Sequence, residues 1–232
     1  MRRTLTALAF LGAFAASVAT AQDNKVIVEL YTSQGCSSCP PADAFLQDLA
    51  GRTDVIALAL HVDYWDYLGW KDGFGSPAYT ARQHGYARAA RAETVYTPQM
   101  VIGGVDHVIG SKAMEVMDRI AAQRTTSAPV AINLARDGHT LQIQAVSNAG
   151  RIGDMIVQVV RYTPQKTVEI TRGENAGKSI NYVNIVTSWQ AIGRWDGAGP
   201  FAMSTQIDGH DPVVVIVQHD EYGPVVAAAE LR

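Results

Sequence analysis

Val26-Ile27-Val28-Glu29-Leu30-Tyr31-Thr32-Ser33-Gln34-Gly35-Cys36-Ser37-Ser38-Cys39-Pro40-Pro41-Ala42-Asp43 is the stretch whose reading decides the fold. Residues 26–31 form a β-rich apolar run, the pattern of a buried strand. Gly35 is expected to free the chain to turn. Pro40 and Pro41 have no N–H to donate, which is tolerated only in or near a first helical turn. Ala44, Phe45 and Leu49 then come at helical spacing. A strand, a turn and a helix are therefore predicted, with Cys36 and Cys39 at the start of the helix over 40–50. A helix N-terminus carries unpaired N–H groups and a partial positive charge. Both favour a thiolate, so Cys36 is placed to attack and Cys39 to resolve a mixed disulfide.

Outward from this stretch, residues 55–60 read as a second buried strand and 78–92 as a polar-faced helix. Residues 100–102 and 105–109 read as a hairpin around Gly103-Gly104. Residues 111–122 read as a helix with Met114, Met117 and Ile120 on one face and Ser111 as its N-cap. The order β-α-β-α-β-β-α implies an open α/β sheet. Residues 123–129 are polar and end in Pro129, the pattern of a linker. Beyond them the hydrophobic period becomes 2. Ile132 and Leu134, an Asp137-Gly138 turn, then Leu141 and Ile143 describe a hairpin. Strands are expected at 156–160, 168–171, 182–186 and 213–217, and residues 182–192 are ambiguous enough to hold a helical turn. Short strands without a helix imply a smaller β-rich, sandwich-like module.

The N-terminus reads as an export signal. Arg2-Arg3 is a positive n-region, residues 5–18 are an uncharged apolar stretch, and Ala19-Thr20-Ala21 supplies the small residues of a cleavage site. The stretch is shorter than the ~20 residues a bilayer requires. Removal after Ala21 is expected, giving three segments: 1–21 signal peptide, 22–125 α/β domain, 126–232 β-rich domain. A periplasmic or secreted location is then expected, with no stable membrane insertion of the mature chain.

The 232 residues carry a formal net charge of −3, with 47% hydrophobic and 18% charged residues. This excludes a largely disordered chain and a basic nucleic-acid-binding surface. Two cysteines are too few to staple a small scaffold, so the pair calls for another explanation. A zinc site of four cysteines is excluded within one chain. Gly173-Glu174-Asn175-Ala176-Gly177-Lys178-Ser179 has three residues where a phosphate loop has four, and the residues after it are β-like, so nucleotide binding is rejected. No cofactor is expected.

Thr97-Pro98 stands just before the predicted strand 100–102 and its Gly103-Gly104 turn. With this feature, residues 26–122 resemble the thioredoxin-like superfamily. The resemblance implies a cis Thr97–Pro98 bond packed against the cysteine pair, Cys36 as attacking thiol and Cys39 as resolving thiol. It also implies that Thr97 and Pro98 dock a substrate backbone. Pro40-Pro41 and the long aromatic segment after the second strand depart from the pattern. A closer resemblance is to the DUF1223 family of exported bacterial proteins of unknown function. It is carried by residues 29–43 of the opening stretch, by His61-Val62-Asp63-Tyr64-Trp65-Asp66 and by Tyr96-Thr97-Pro98-Gln99. That resemblance implies the thioredoxin-like half and an appended β module. It supplies no substrate.

His61 ends the second predicted strand, the edge of an α/β sheet where sites form. His61, Asp63 and Asp66 are candidates to tune Cys36. Tyr64, Trp65, Tyr67 and Trp70 are candidates to line a groove for an unfolded peptide. The expected activity is thiol–disulfide exchange on a protein or peptide substrate, with a separate redox partner. Two alternatives stay open. One is a binding protein with a structural disulfide. The other is a handler of a soft ion such as Cu(I), held by Cys36, Cys39 and His61.

Overall fold

The computed structural model describes residues 25–125 and 128–232. The segment read as an export signal, residues 1–21, lies outside these. The elements in chain order are β1 (Val26–Thr32), α1 (Pro40–Ala50), β2 (Val55–His61), a 3-10 turn (Asp66–Leu68), α2 (Pro77–Ala89), β3 (Gln99–Ile102), β4 (Asp106–Ile109) and α3 (Ala113–Arg124). Seven strands come after them: β5 (Val130–Asp137), β6 (Thr140–Ser147), β7 (Met155–Ile170), β8 (Lys178–Trp195), β9 (Phe201–Gln206), β10 (Val213–His219) and β11 (Val225–Leu231). The fold is mixed α/β with a mixed central sheet and few helices.

Eight strands make that sheet, in the order β11-β10-β7-β8-β2-β1-β3-β4. β1 and β2 are parallel and in register from Val26↔Val55 to Thr32↔His61. Both are buried along their whole length, as their unbroken apolar runs require. Alternation splits each strand between two cores. Val28, Leu30, Ala57 and Ala59 pack with Leu46, Leu49 and Ile120 under α1 and α3. Ile27, Tyr31, Leu58 and Leu60 pack with Tyr79 and Tyr86 of α2. That second core continues into Val160, Tyr162, Val214 and Ile216, so strands from both halves of the chain share it. The three-stranded sheet β5-β6-β9 lies against β7, β10 and β11 through a third core that includes Leu141, Ile143, Val157 and Val215.

Glu29 faces the α2 side in full burial. Its carboxylate accepts from Arg82 Nε (2.7 Å) and Nη2 (2.8 Å), Tyr31 Oη (2.9 Å) and Tyr86 Oη (2.6 Å). A buried carboxylate with four donors and a counter-charge meets the condition under which such a charge is tolerated. Arg82 also lies over the Trp189 ring at 3.7 Å and reaches Gln158 and Gln218, tying β1 to β7, β8 and β10.

The predicted helix 40–50 and the hairpin around Gly103-Gly104 stand as expected, both glycines taking left-handed φ. Four local expectations change. Ser111 does not cap α3; Lys112 occupies that position and no side chain caps it. The strands expected at 156–160 and 168–171 merge into one, β7, which ends at Ile170, because exposed polar residues between them pair with β8. Residues 182–192 hold no helical turn and run inside β8. The strands β9 and β11 are additional. β2 meets β8 at a single pairing, Ala59↔Ile185, and Asn184, at φ 47°, fastens the joint with its amide on the Ala57 carbonyl (2.8 Å).

Candidate functional site

Cys36 and Cys39 are joined as a disulfide at the mouth of α1. The turn is built by Cys36 N donating to Ser33 O (3.1 Å) and Cys39 N to Cys36 O (3.2 Å). Cys39 holds the N-cap position in a helical conformation, with Pro40 and Pro41 in the first turn, as their missing N–H groups demand. Cys36 keeps 4% of its surface and Cys39 none, so what solvent touches the pair touches Cys36. Gly35 has no left-handed φ. A Cβ there would meet the Trp65 carbonyl oxygen at 3.2 Å and its Cβ at 3.3 Å, so the glycine serves close approach rather than turning.

Thr97 Oγ1 donates to Cys36 Sγ (3.2 Å) and accepts from Trp65 Nε1 (2.8 Å). The Thr97–Pro98 bond is cis. The structure thus brings Trp65, Thr97 and Cys36 into one hydrogen-bonded chain. Tyr64 lies beside Trp65, ring centroids 5.5 Å apart, and its hydroxyl donates to Gln83 Oε1. Burial pushes the Tyr64 phenol up to about 12. Tyr67 stacks on Trp65 at 6.4 Å and is 77% exposed. Trp70 turns elsewhere, its Nε1 donating to Gln34 Oε1 (2.8 Å).

His61 is the register partner of Thr32, so both side chains leave the C-terminal ends of β1 and β2 on one face, under α1. His61 Nδ1 meets Asp72 Oδ2 at 2.7 Å, and the same oxygen accepts from Gln34 N (2.8 Å). Asp63, an expected tuning residue, instead accepts from Thr80 Oγ1 (2.6 Å) and anchors α2. Asp66 accepts from Asp72 N (3.0 Å) and so steadies the loop rather than the cysteines. Asp43, one turn along α1 from Cys39, accepts from Thr32 Oγ1 (2.7 Å). Burial raises the Asp43 carboxyl from 3.8 to about 7, against the pull of His61 and Thr32 and with the push of Asp72. Burial alone would raise Asp72 too, but His61 and the N–H groups of Gln34 and Phe74 hold it low. Tyr182 packs edge-on to His61 at 4.9 Å, its phenol pushed up by burial and by both carboxylates. Among the described residues, Asp43 Oδ2, His61 Nε2 and the Tyr182 hydroxyl have no hydrogen-bond partner. This cluster of acid, imidazole and phenol lies beneath the first turn of the helix that Cys39 caps.

Three site residues escape a reading of the sequence. Asp72 lies inside the aromatic segment 61–74, Asp43 inside the opening stretch, and Asn175 in the rejected phosphate-loop look-alike. Asn175 Nδ2 donates to both Gln34 O and Cys36 O at 2.9 Å. Its distance along the chain leaves no local signal. Among the described residues no three His, Cys, Asp or Glu side chains group as a metal-binding set.

The sequence profile of a family described as Protein of unknown function (DUF1223) matches residues 27–218. A crystal structure of a protein from Agrobacterium tumefaciens is similar at 34% identity and a TM-score of 0.78, over 91% of this chain and 96% of that one. HBP35 of Porphyromonas gingivalis is similar at 13% identity and a TM-score of 0.61, over 90% of this chain and 75% of that one, a likeness of fold alone. No curated protein matches.

Proposed function

The chain belongs to the DUF1223 family of proteins of unknown function, and from that premise we propose that it is an exported thiol–disulfide exchange protein acting through Cys36 and Cys39. The observation that carries the reading is the environment of Cys36. The residue holds the residual exposure of the pair, its sulfur accepts the Thr97 hydroxyl, and it lies just ahead of the N-terminal end of α1. The exposure and the Thr97 hydroxyl favour a thiolate there over one at Cys39, and the helix N-terminus favours the ionised form of either. A thioredoxin-like reading of residues 22–125, with 126–232 as an appended β-rich unit, is supported by the order β1-α1-β2-α2-β3-β4-α3 and by Thr97-Pro98 ahead of β3. The signal-like residues 1–21 support a periplasmic or secreted setting, where disulfides persist.

In the reduced protein the Cys36 thiolate attacks a substrate disulfide. One Cys36–substrate disulfide forms, the substrate S–S bond breaks and a substrate thiolate leaves. Cys39 then gives up its proton, attacks Cys36 Sγ and releases the second substrate thiolate. The protein dithiol loses two electrons and the substrate disulfide gains them. Run in reverse, the same steps oxidise a substrate dithiol. Cys39 is shut off from solvent, so its proton needs an internal acceptor. Asp43, one turn along α1 and with Oδ2 unengaged, is the acceptor this reading assigns. The Tyr64, Trp65 and Tyr67 rings form the apolar floor beside Cys36 for a peptide substrate.

The test is the reduction potential of the mature chain, equilibrated against glutathione with free thiols counted by mass spectrometry. A transition in the range of about −120 to −270 mV is expected, and Cys39→Ser should accumulate a mixed disulfide on Cys36. A pair that stays oxidised well below about −300 mV is a structural disulfide. The aromatic floor then belongs to a binding protein, and the exchange reading is overturned.

A further inference from the structure

The turn between β7 and β8, residues 171–177, resembles a phosphate loop in composition and serves the molecule differently. Gly173 and Gly177 take left-handed φ of 76° and 82° to close it. A Cβ on Gly173 would meet Trp70 Cβ at 3.0 Å, so the turn is pressed onto the loop that carries Asp72. From its tip Asn175, 1% exposed, reaches the cysteine turn. A primary amide has two donor hydrogens and one acceptor oxygen. Here the nitrogen serves the carbonyls of Gln34 and Cys36, on either side of Gly35, and the oxygen accepts from Lys178 Nζ at 2.8 Å.

This arrangement has an electrostatic direction. The Lys178 ammonium polarises the amide, and the amide's positive end faces the Cys36 carbonyl. That carbonyl, which also accepts from Cys39 N (3.2 Å), belongs to the residue whose sulfur is the nucleophile. The charged and titratable groups around the turn come from five elements, among them Lys166 and Glu169 of β7, which with Lys71 of the loop after β2 line the cavity at Gln34. Asp43 of α1 and His61 of β2 lie on its buried side. Asp72 of the loop after β2 holds the Gln34 N–H. Lys178 of β8 acts on the opposite side, through Asn175.

We propose that Asn175 and Lys178 are positioning residues for Cys36, clamping the cysteine turn and relaying a positive charge that favours its thiolate. The clamp deepens the exchange reading and rests on it. It also assigns a role to the C-terminal segment, which supplies part of the setting for a nucleophile lying about 140 residues earlier.

The experiment uses the mature chain carrying Cys39→Ser, kept reduced with dithiothreitol and freed of it, and reads the rate of Cys36 alkylation by iodoacetamide against pH. Lys178→Met should slow alkylation near neutral pH about three- to tenfold and leave the rate near pH 10 unchanged, because a lost cation raises the thiol's ionisation point without blocking access. Lys178→Arg keeps the charge and should retain the wild-type profile. Asn175→Ala should slow alkylation in the same direction. In chains with both cysteines, Lys178→Met should shift the equilibrium with glutathione toward the protein disulfide by a similar factor, since the reduced form loses its stabilised thiolate. A Lys178→Met profile that coincides with wild type overturns the clamp, whatever happens to the melting temperature. Alkylation comes after forced reduction, so its outcome stands apart from whether glutathione can reduce the native pair, which judges the exchange reading itself.

Discussion

Asp43 holds its proton in the folded chain up to about pH 7, while an unfolded aspartate releases it near 4. Its contribution to stability is therefore intact below about pH 4 and is lost as the pH climbs through about 7. Asp43→Asn keeps an acceptor for Thr32 Oγ1 and removes the ionisation. Between pH 4.5 and 8 this variant should gain about 2–4 kcal/mol on the wild type, measured as urea unfolding free energies at both ends. A constant difference across that range would show that the carboxyl does not titrate in burial. At this scale the sequence is legible where chemistry is local. Cys36, Cys39, Thr97 and Trp65 all stand in motifs, and all meet in space. The partners of the buried residues are not legible, because a hydrogen bond from His61 to Asp72 or from Asn175 to Cys36 depends on loops folding back. Asp63 shows the cost of reading proximity in sequence as proximity in space: two residues from His61, it points to α2 instead.

Among the elements, those with a strong local pattern announce themselves. The helix α1 is set at its start by two prolines and along its length by apolar spacing, and its bounds agree with the reading. β1 and β2 are equally plain, since a strand buried on both faces has an unbroken apolar run. β7 and β8 read as fragments because each carries exposed polar stretches, at 165–167 in β7 and at both ends of β8, that only the neighbouring strand justifies. α2 hides a different constraint. A Cβ on Gly85 would lie 2.2 Å from Tyr222 Cζ, so the bare backbone lets the β10–β11 turn settle onto the helix. Glu221 and Tyr222 both hold left-handed φ, 55° and 61°, to deliver that ring. Gly85→Ala should therefore destabilise by about 1–3 kcal/mol despite alanine's better helix propensity. Adding Tyr222→Ala should recover part of the loss, so the double mutant lies below the sum of the single effects in urea unfolding. Additive losses would place the strain elsewhere.

For the molecule as a whole, the composition and period change near residue 126 divide the chain, yet the eight-stranded sheet draws strands from both sides of that point. The core beneath α2 mixes Ile27, Leu58 and Leu60 with Val160, Val214 and Ile216, and Arg82 bonds across the same seam. Neither side can lose its packing without exposing the other's. The folded chain should unfold in a single transition. Trp65 and Trp70 report on one side and Trp189 and Trp195 on the other, so paired tryptophan-to-phenylalanine variants give two local fluorescence probes. Their urea midpoints should coincide with that of far-UV circular dichroism, and two separated midpoints would sink the prediction.

The joint between β2 and β8 has a consequence in time rather than in space. Asn184 reaches Ala57 across 127 residues of chain. During synthesis, β2 must wait with one flank open until most of the polypeptide has emerged behind it. Contacts so distant in sequence slow the search for the native pairing and leave a bare strand available to other chains meanwhile. The newborn protein thus passes through an interval in which its earliest-made sheet is sticky and its cysteines stand unclamped, open to whatever thiol chemistry surrounds them before β8 arrives to close the structure.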